Sequence, residues 1–232
     1  MARKKASQKK KPVDTTAKFY RRIGSEGWRD SNYFTYSSSS PAFRRWLAAA
    51  LGDAPARILS IGCGNGELES YLHAAGHRLV GIDLSHPMLK RAGRAGMDHP
   101  VEADARFLPF ASASFEVVIY PESLGHLPLA ETFGEARRVL RRRGRLLVTT
   151  YASHMGVHAH YRKYRFDQME EALVDSGFRV DEQRFLAAKQ KSVADAPSDA
   201  KATLLYVKAS VPAATRAHGQ AGAMSPRAKK SS

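Results

Sequence analysis

Between Arg57 and Lys208 the apolar positions alternate between two patterns. Short runs rich in Val, Ile and Leu, "RILSI", "RLVGID", "FEVVIY", "RLLVTTY" and "FRVDEQRFL", have the length and composition of buried strands. Between them lie helical stretches: Asn65 to Ala75, Pro87 to Ala95, Leu129 to Leu140 and Phe166 to Ser176. In the last, "DQMEEALVDSGF" puts Met169, Leu173 and Val174 on one face and leaves Gly177 to take a left-handed cap. Upstream, "SSSSPAFRRWLAAALG" predicts a helix with Ser40 as N-cap, Pro41 at the first helical position and Gly52 at the stop. Strand, helix, strand in repetition implies an α/β fold: a mostly parallel sheet with helices on both faces. The closing run "ATLLYVKA" follows the preceding strand through a polar loop, Ala187 to Ala200, with no helix after it, so an antiparallel last strand is expected.

An open parallel sheet binds ligands outside the carboxyl ends of its strands. There the first strand runs into "SIGCGNG", whose Gly62, Gly64 and Gly66 would let a ligand lie against bare backbone. Asp83 ends the second strand, 21 residues beyond Gly62, where a carboxylate can accept hydrogen bonds from ribose hydroxyls. Asp104 follows at the next strand end. A dinucleotide fingerprint wants glycine at position 67, but Glu67 stands there and would repel a pyrophosphate. An adenosyl compound without phosphates fits better.

Length and charge narrow the picture further. A chain of 232 residues fits one domain. The formal charge of +15 divides unevenly: residues 1–22 carry nine Lys/Arg against one acid, residues 208–232 carry five and none, and residues 23–207 hold 23 basic and 21 acidic residues. The tails, 1–22 and 209–232, are poor in large apolar residues and are expected to be disordered, with contact to nucleic acid as one use and plain solvation as the other. No apolar run reaches the ~18–20 residues of a membrane span, and the N-terminus lacks the apolar core of a signal peptide. A cytoplasmic protein with no membrane contact is therefore expected. The single cysteine, Cys63, excludes an intramolecular disulfide and reads as a small buried residue of the glycine turn.

The succession "RILSIGCGNGELE", "LVGIDLS", "EADARFLPFASASFEVVIYPESLGHLP" and "EARRVLRRRGRLLVTT" resembles a class I S-adenosylmethionine-dependent methyltransferase over roughly Ala42 to Lys208. The resemblance implies a Rossmann-like, mostly parallel seven-stranded sheet with an antiparallel last strand and helices on both faces. It implies S-adenosyl-L-methionine as cofactor, lying along Gly62, Cys63, Gly64 and Gly66. Asp83 would hold the ribose hydroxyls, Leu84 would pack on the adenine, Asp104 would reach the adenine amino group with Ala105 alongside, and Tyr120 would line the methionine portion. Most members carry Asp or Glu where this chain has Ser60, near the ligand's ammonium; a hydroxyl there can accept one hydrogen bond but loses the charge, unless Glu67 or Glu122 substitutes. The common "RVLKPGG" turn reads "RVLRRRG", which makes a basic knuckle of Arg141, Arg142, Arg143 and Arg145.

Methyl transfer from a sulfonium depends chiefly on alignment, so a base is required only when the acceptor keeps its proton near neutral pH. Glu122 and His126, four residues apart in "YPESLGHLP", are the candidates. His154, His158 and His160 lack a paired acidic ligand motif, so no metal site is expected and a substrate-lining loop is the better reading. "YPES" lacks the second proline and final aromatic of adenine or amide N-methyltransferases, and no cysteine stands near the fourth strand for cytosine-C5 chemistry. A small-molecule acceptor is expected, methylated on O, N or C, under a lid formed by the aromatic-rich segment of about 23–40. Two alternatives stay open: a methyltransferase of RNA or another macromolecule recruited by the tails, and a non-catalytic protein that binds S-adenosylmethionine or its demethylated product. Oligomeric state is not legible.

Overall fold

The computed structural model describes residues 17–22, 25, 40–155, 161–189 and 191–213. Eight strands form one sheet in the order β3-β2-β1-β4-β5-β8-β6-β7. The central strand is β1 (Arg57–Ile61), flanked by β2 (Arg78–Asp83) and β4 (Phe115–Pro121); β3 (Pro100–Glu102) lies outside β2 and β5 (Leu140–Tyr151) beside β4. All four pairings within this set are parallel. The far edge is antiparallel: β8 (Leu204–Ser210) runs between β5 and β6 (Arg179–Ala188), and β7 (Val193–Asp195) closes the edge against β6. Strand order reverses at β1, so the crevice between the ends of β1 and β4 is the topological switch point.

Alternation along the strands separates two cores. Val118 and Tyr120 of β4 face Phe133, Ala136, Met169 and Leu173 of helices α5 (Leu129–Val139) and α6 (Phe166–Asp175). Val117 and Ile119 face Phe43, Leu47, Leu68 and Leu72 of α2 (Pro41–Leu51) and α3 (Glu67–Ala74). A smaller cluster, Cys63 with Leu89, Ala92 and Met97, sits beside α4 (His86–Arg94). The expected caps are in place: Ser40 Oγ accepts from the Phe43 amide at 3.1 Å, Pro41 opens α2, and Gly52 ends it at φ 81°. Gly177 closes α6 at φ 80°.

Four expectations are corrected. The sheet has eight strands rather than seven, because Val193–Asp195 folds back from the polar loop onto β6 through a turn closed by Lys189 N donating to Ser192 O at 2.7 Å. Val174 is 55% exposed, since the buried stripe of α6 follows Met169 and Leu173, one turn apart. The arginine knuckle lies within β5, with Arg143 at φ 60°; Arg141 pairs with Glu116 at 2.9 Å and Arg145 donates to Leu51 O at 2.9 Å. The tail boundaries also move. Residues 17–22 form helix α1, with Arg21 3.3 Å from Glu102, and β8 continues to Ser210 with Val211 buried behind it. The lid segment, apart from Ser25 and Ser40, lies outside the described residues, as do His158 and His160. Among the described residues no helix is long and apolar enough to cross a membrane.

Candidate functional site

A cleft opens at the switch point, floored by the ends of β1, β2 and β4. At its base the amides of Gly62 and Cys63 both donate to Ile82 O, at 2.8 and 3.0 Å, which curls the turn after β1 across the end of β2. Three glycines do different work here. A Cβ on Gly62, at φ 76°, would collide with the Ser123 side chain, and one on Gly66, also at φ 76°, would lie 2.7 Å from Ala92 Cβ. Those two make room for the protein's own packing. A Cβ on Gly64, at φ 55°, would meet only Met88 Cε at 3.5 Å, so this is the glycine whose bare backbone faces the cleft.

Asp83 ties the turn to β2. Its Oδ2 accepts from the Gly64 amide at 3.0 Å and its Oδ1 from the Ser85 amide at 2.8 Å. Desolvation pushes its carboxyl above the ordinary value, although the amides of Ser85, Gly64 and Leu84 work against this. Leu84, Met88, Ala103 and Ala105 supply an apolar wall beyond it.

Asp104 does not line the cleft. Its carboxylate is held by Arg106, with Nε at 3.0 and 3.1 Å and Nη2 at 2.5 Å. Burial works to raise this carboxyl, but the Arg106 hydrogen bonds outweigh it and hold it low. Only its neighbours Ala103 and Ala105 face the cavity.

Tyr120 is likewise turned away. It is 1% exposed, packs edge-on against Phe133 and donates to Thr132 O at 3.2 Å, so the cleft surface falls instead to Pro121, the last residue of the strand, and Glu122 just past it. Glu122 sits at φ 60°, a costly conformation for a residue with a side chain, fixed by its amide donating to Tyr120 O (3.0 Å) and Thr149 O (2.9 Å). That twist sends its carboxylate to Tyr151, whose hydroxyl donates to Oε2 at 2.9 Å. His126 follows on a short 3₁₀ turn, Leu124–His126, and both candidate bases reach the same cleft.

The outer rim is aromatic. Tyr20 of α1 lies 3.0 Å from His126 Nε2 through its hydroxyl. The His126 ring packs edge-on against Tyr161 at 4.9 Å, and Tyr161 against Tyr151 at 5.2 Å. Gly125 permits this, because a Cβ there would strike the Tyr161 ring. Burial pushes the hydroxyls of Tyr151 and Tyr161 to hold their protons, Tyr151 further through Glu122.

Ser60, expected beside the ligand, lies out of its reach. Ser60 is buried below the cleft, and its hydroxyl donates to Glu69 Oε1 at 2.5 Å. Glu69, on the first turn of α3, does line the cleft although it is 1% exposed, and sequence reading passed over it. The available signal was an acid two positions past Glu67 on a helix whose apolar residues, Leu68 and Leu72, bracket it.

Charge decides what the cleft can hold. Its lining carries Glu67, Glu69, Asp83 and Glu122 and, among the described residues, no lysine or arginine. Arg44 neutralises Glu67 from behind, at 2.7 Å. A pyrophosphate would be repelled and a cation welcomed. Fold and cleft thus define an α/β domain with an acidic cleft at its switch point. Residues 59–148 match the model of a family described as "Methyltransferase domain". The chain is 36% identical over 110 residues to a malonyl-[acyl-carrier protein] O-methyltransferase of Pseudescherichia vulneris, covering 46% of this chain and 44% of that one. It is 42% identical over 99 residues to a 27-O-demethylrifamycin SV methyltransferase of Amycolatopsis mediterranei, covering 39% and 36%. The chain therefore spans less than half the length of these curated relatives. In fold it is similar to a geranyl diphosphate C-methyltransferase of Streptomyces coelicolor solved with S-adenosyl-L-homocysteine, with a TM-score of 0.66, 14% identity, and coverage of 88% of this chain and 100% of that one. Over residues 59–148, then, the chain resembles the S-adenosylmethionine-dependent methyltransferases, and its fold is shared with them. The residues present fit that cofactor: Gly64 leaves space against backbone, and four carboxylates face a ligand whose sulfonium is positive.

Proposed function

We propose that this protein transfers the methyl group of S-adenosylmethionine to an O, N or C atom of a small-molecule acceptor. The observation that carries the reading is that the acidic side chains Glu67, Glu69, Asp83 and Glu122 line the switch-point cleft, with no lysine or arginine among the described lining residues, beside an open glycine backbone. When bound, the cofactor supplies an electrophilic methyl on sulfur. Asp83 would hold the ribose hydroxyls and Leu84 the adenine, along the turn of Gly62, Cys63 and Gly64. The aromatic rim of Tyr20, His126, Tyr151 and Tyr161 favours a flat or apolar acceptor and keeps water from the methyl. Where the acceptor carries a proton, His126 or Glu122 takes it, as both face the cavity. The name of one relative, 27-O-demethylrifamycin SV methyltransferase, supports a small acceptor.

The test is methyl transfer from tritiated S-adenosylmethionine into a cell lysate, fractionated into small molecules, RNA and protein. Label in the small-molecule fraction is expected. Label confined to RNase-sensitive material would move the function to a tail-recruited RNA methyltransferase. Tight nucleoside binding with no label anywhere would leave a non-catalytic binding protein.

A further inference from the structure

The methyltransferase resemblance leads one to expect an acid at the end of the first strand, near the ligand's ammonium, and this chain has Ser60 there. The structure places a carboxylate at the same spot from another element. Glu69 reaches from α3 to the Ser60 hydroxyl, 2.5 Å from Oε1, and is 1% exposed. Its second oxygen, Oε2, is buried with no hydrogen-bond partner among the described residues. Such an oxygen is costly to leave unmatched in a folded protein, and Glu69 lines the cleft alongside Gly62 and Gly64.

Building on the proposed function, we infer that Ser60 and Glu69 exchange the usual roles of strand and helix: the serine orients the Glu69 carboxylate, whose unpartnered oxygen receives the ammonium of the methionine portion. A consequence concerns protons. Burial holds the Glu69 carboxyl up at about 7, with Asp83 of β2 adding to the rise, and the Ser60 hydroxyl and Arg44 of α2 opposing it. Cys63, from the glycine turn, is held as a neutral thiol by burial and by Glu69 and Asp83. Near pH 7 the empty cleft therefore shares a proton on Glu69. An arriving cation favours the ionised form, and that proton leaves to solvent.

Titration calorimetry at pH 7, in two buffers of different ionisation enthalpy, reads the proton directly. S-adenosylmethionine is compared with 5′-methylthioadenosine, which keeps the nucleoside but lacks both the ammonium and the sulfonium charge, and with S-adenosylhomocysteine, which lacks only the sulfonium charge and should release the same extra proton as S-adenosylmethionine. Wild type should release about half a proton more with S-adenosylmethionine than with methylthioadenosine, the fraction set by a group half-ionised at that pH. Glu69→Gln should remove that difference and weaken S-adenosylmethionine tenfold or more, while methylthioadenosine binding stays within about twofold. Should Glu69→Gln fail to fold by circular dichroism, the exchange variant Ser60→Asp/Glu69→Ser replaces it, and near wild-type affinity is expected because the acid is returned to the strand. Wild-type affinity and proton release in Glu69→Gln, or a folded exchange variant with no affinity, would overturn the assignment. Failure of wild type to bind either nucleoside is a separate result, and it would sink the proposed function itself.

Discussion

The two halves of the cleft are built by different means. The inner half, from the β1 turn to Asp83, is made of backbone: two amides share Ile82 O, Asp83 holds two more amides, and Gly62 and Gly66 pack against neighbours that allow no Cβ. The outer half is made of side chains brought from far apart in the chain, Tyr20 against His126 and His126 against Tyr161, with Gly125 hollowed to admit the ring. A backbone cradle suits a ligand common to a whole class, because it reads shape and charge with little help from residue identity. A side-chain rim can be rebuilt without disturbing the cradle, so under the proposed function acceptor choice belongs there.

The comparison breaks most visibly at Gly62. Gly62→Ala forces a side chain into φ 76° and onto Ser123, and the expected cost is about 4 kcal/mol, summing strain and overpacking. Urea unfolding measures it, and a cost under about 1 kcal/mol would mean that the inner half yields like a loop.

Next in size is the pH dependence of the ligand-free protein. Glu69 is raised from 4.5 to about 7, so between those values the native state keeps a proton that the unfolded chain has released. Stability from this group is full below pH 4.5 and is lost as pH rises through 7, by roughly 3 kcal/mol. Asp83, also raised, adds to the same slope. Asp104, Glu116 and Glu135 are lowered, so they act in the opposite sense below the ordinary carboxylate range, outside this window, whereas His77, lowered by burial and by Arg145, opposes the decline within it. Thermal melts from pH 5 to 8 should show the decline, and Glu69→Gln should flatten it; an unchanged slope in that variant would place the effect elsewhere.

The smallest effect is expected at the rim. Tyr161→Phe removes a buried 2.9 Å hydrogen bond with Thr150 Oγ1 and should cost about 1 kcal/mol in stability. Affinity for S-adenosylmethionine should stay within twofold, since the ring packing is kept. A large loss of cofactor affinity would show that the two halves are not separable.

The inner half was legible because its signals are local. Ser40, Pro41 and Gly52 announce α2, the glycine cluster marks the end of β1, and Asp83 stands where β2 stops. What could not be read depends on direction in space. Strand alternation turns Tyr120 into the core, the φ 60° twist just past the strand brings Glu122 to the cleft instead, and the neighbouring Arg106 takes Asp104 away. The charge of residues 1–22 suggested an unstructured tail, but residues 17–22 are helical and bring Tyr20 to the rim.

By itself, then, the order of apolar runs, caps and glycines determined the doubly wound sheet and the position of its ligand crevice, since hydrogen-bonding period and backbone freedom are properties of neighbouring residues. Only the tertiary structure decided which acid stands in for the missing one at Ser60. Glu67, Glu69 and Glu122 are equivalent as letters, and burial against the Ser60 hydroxyl, a contact between strand and helix, singles out Glu69.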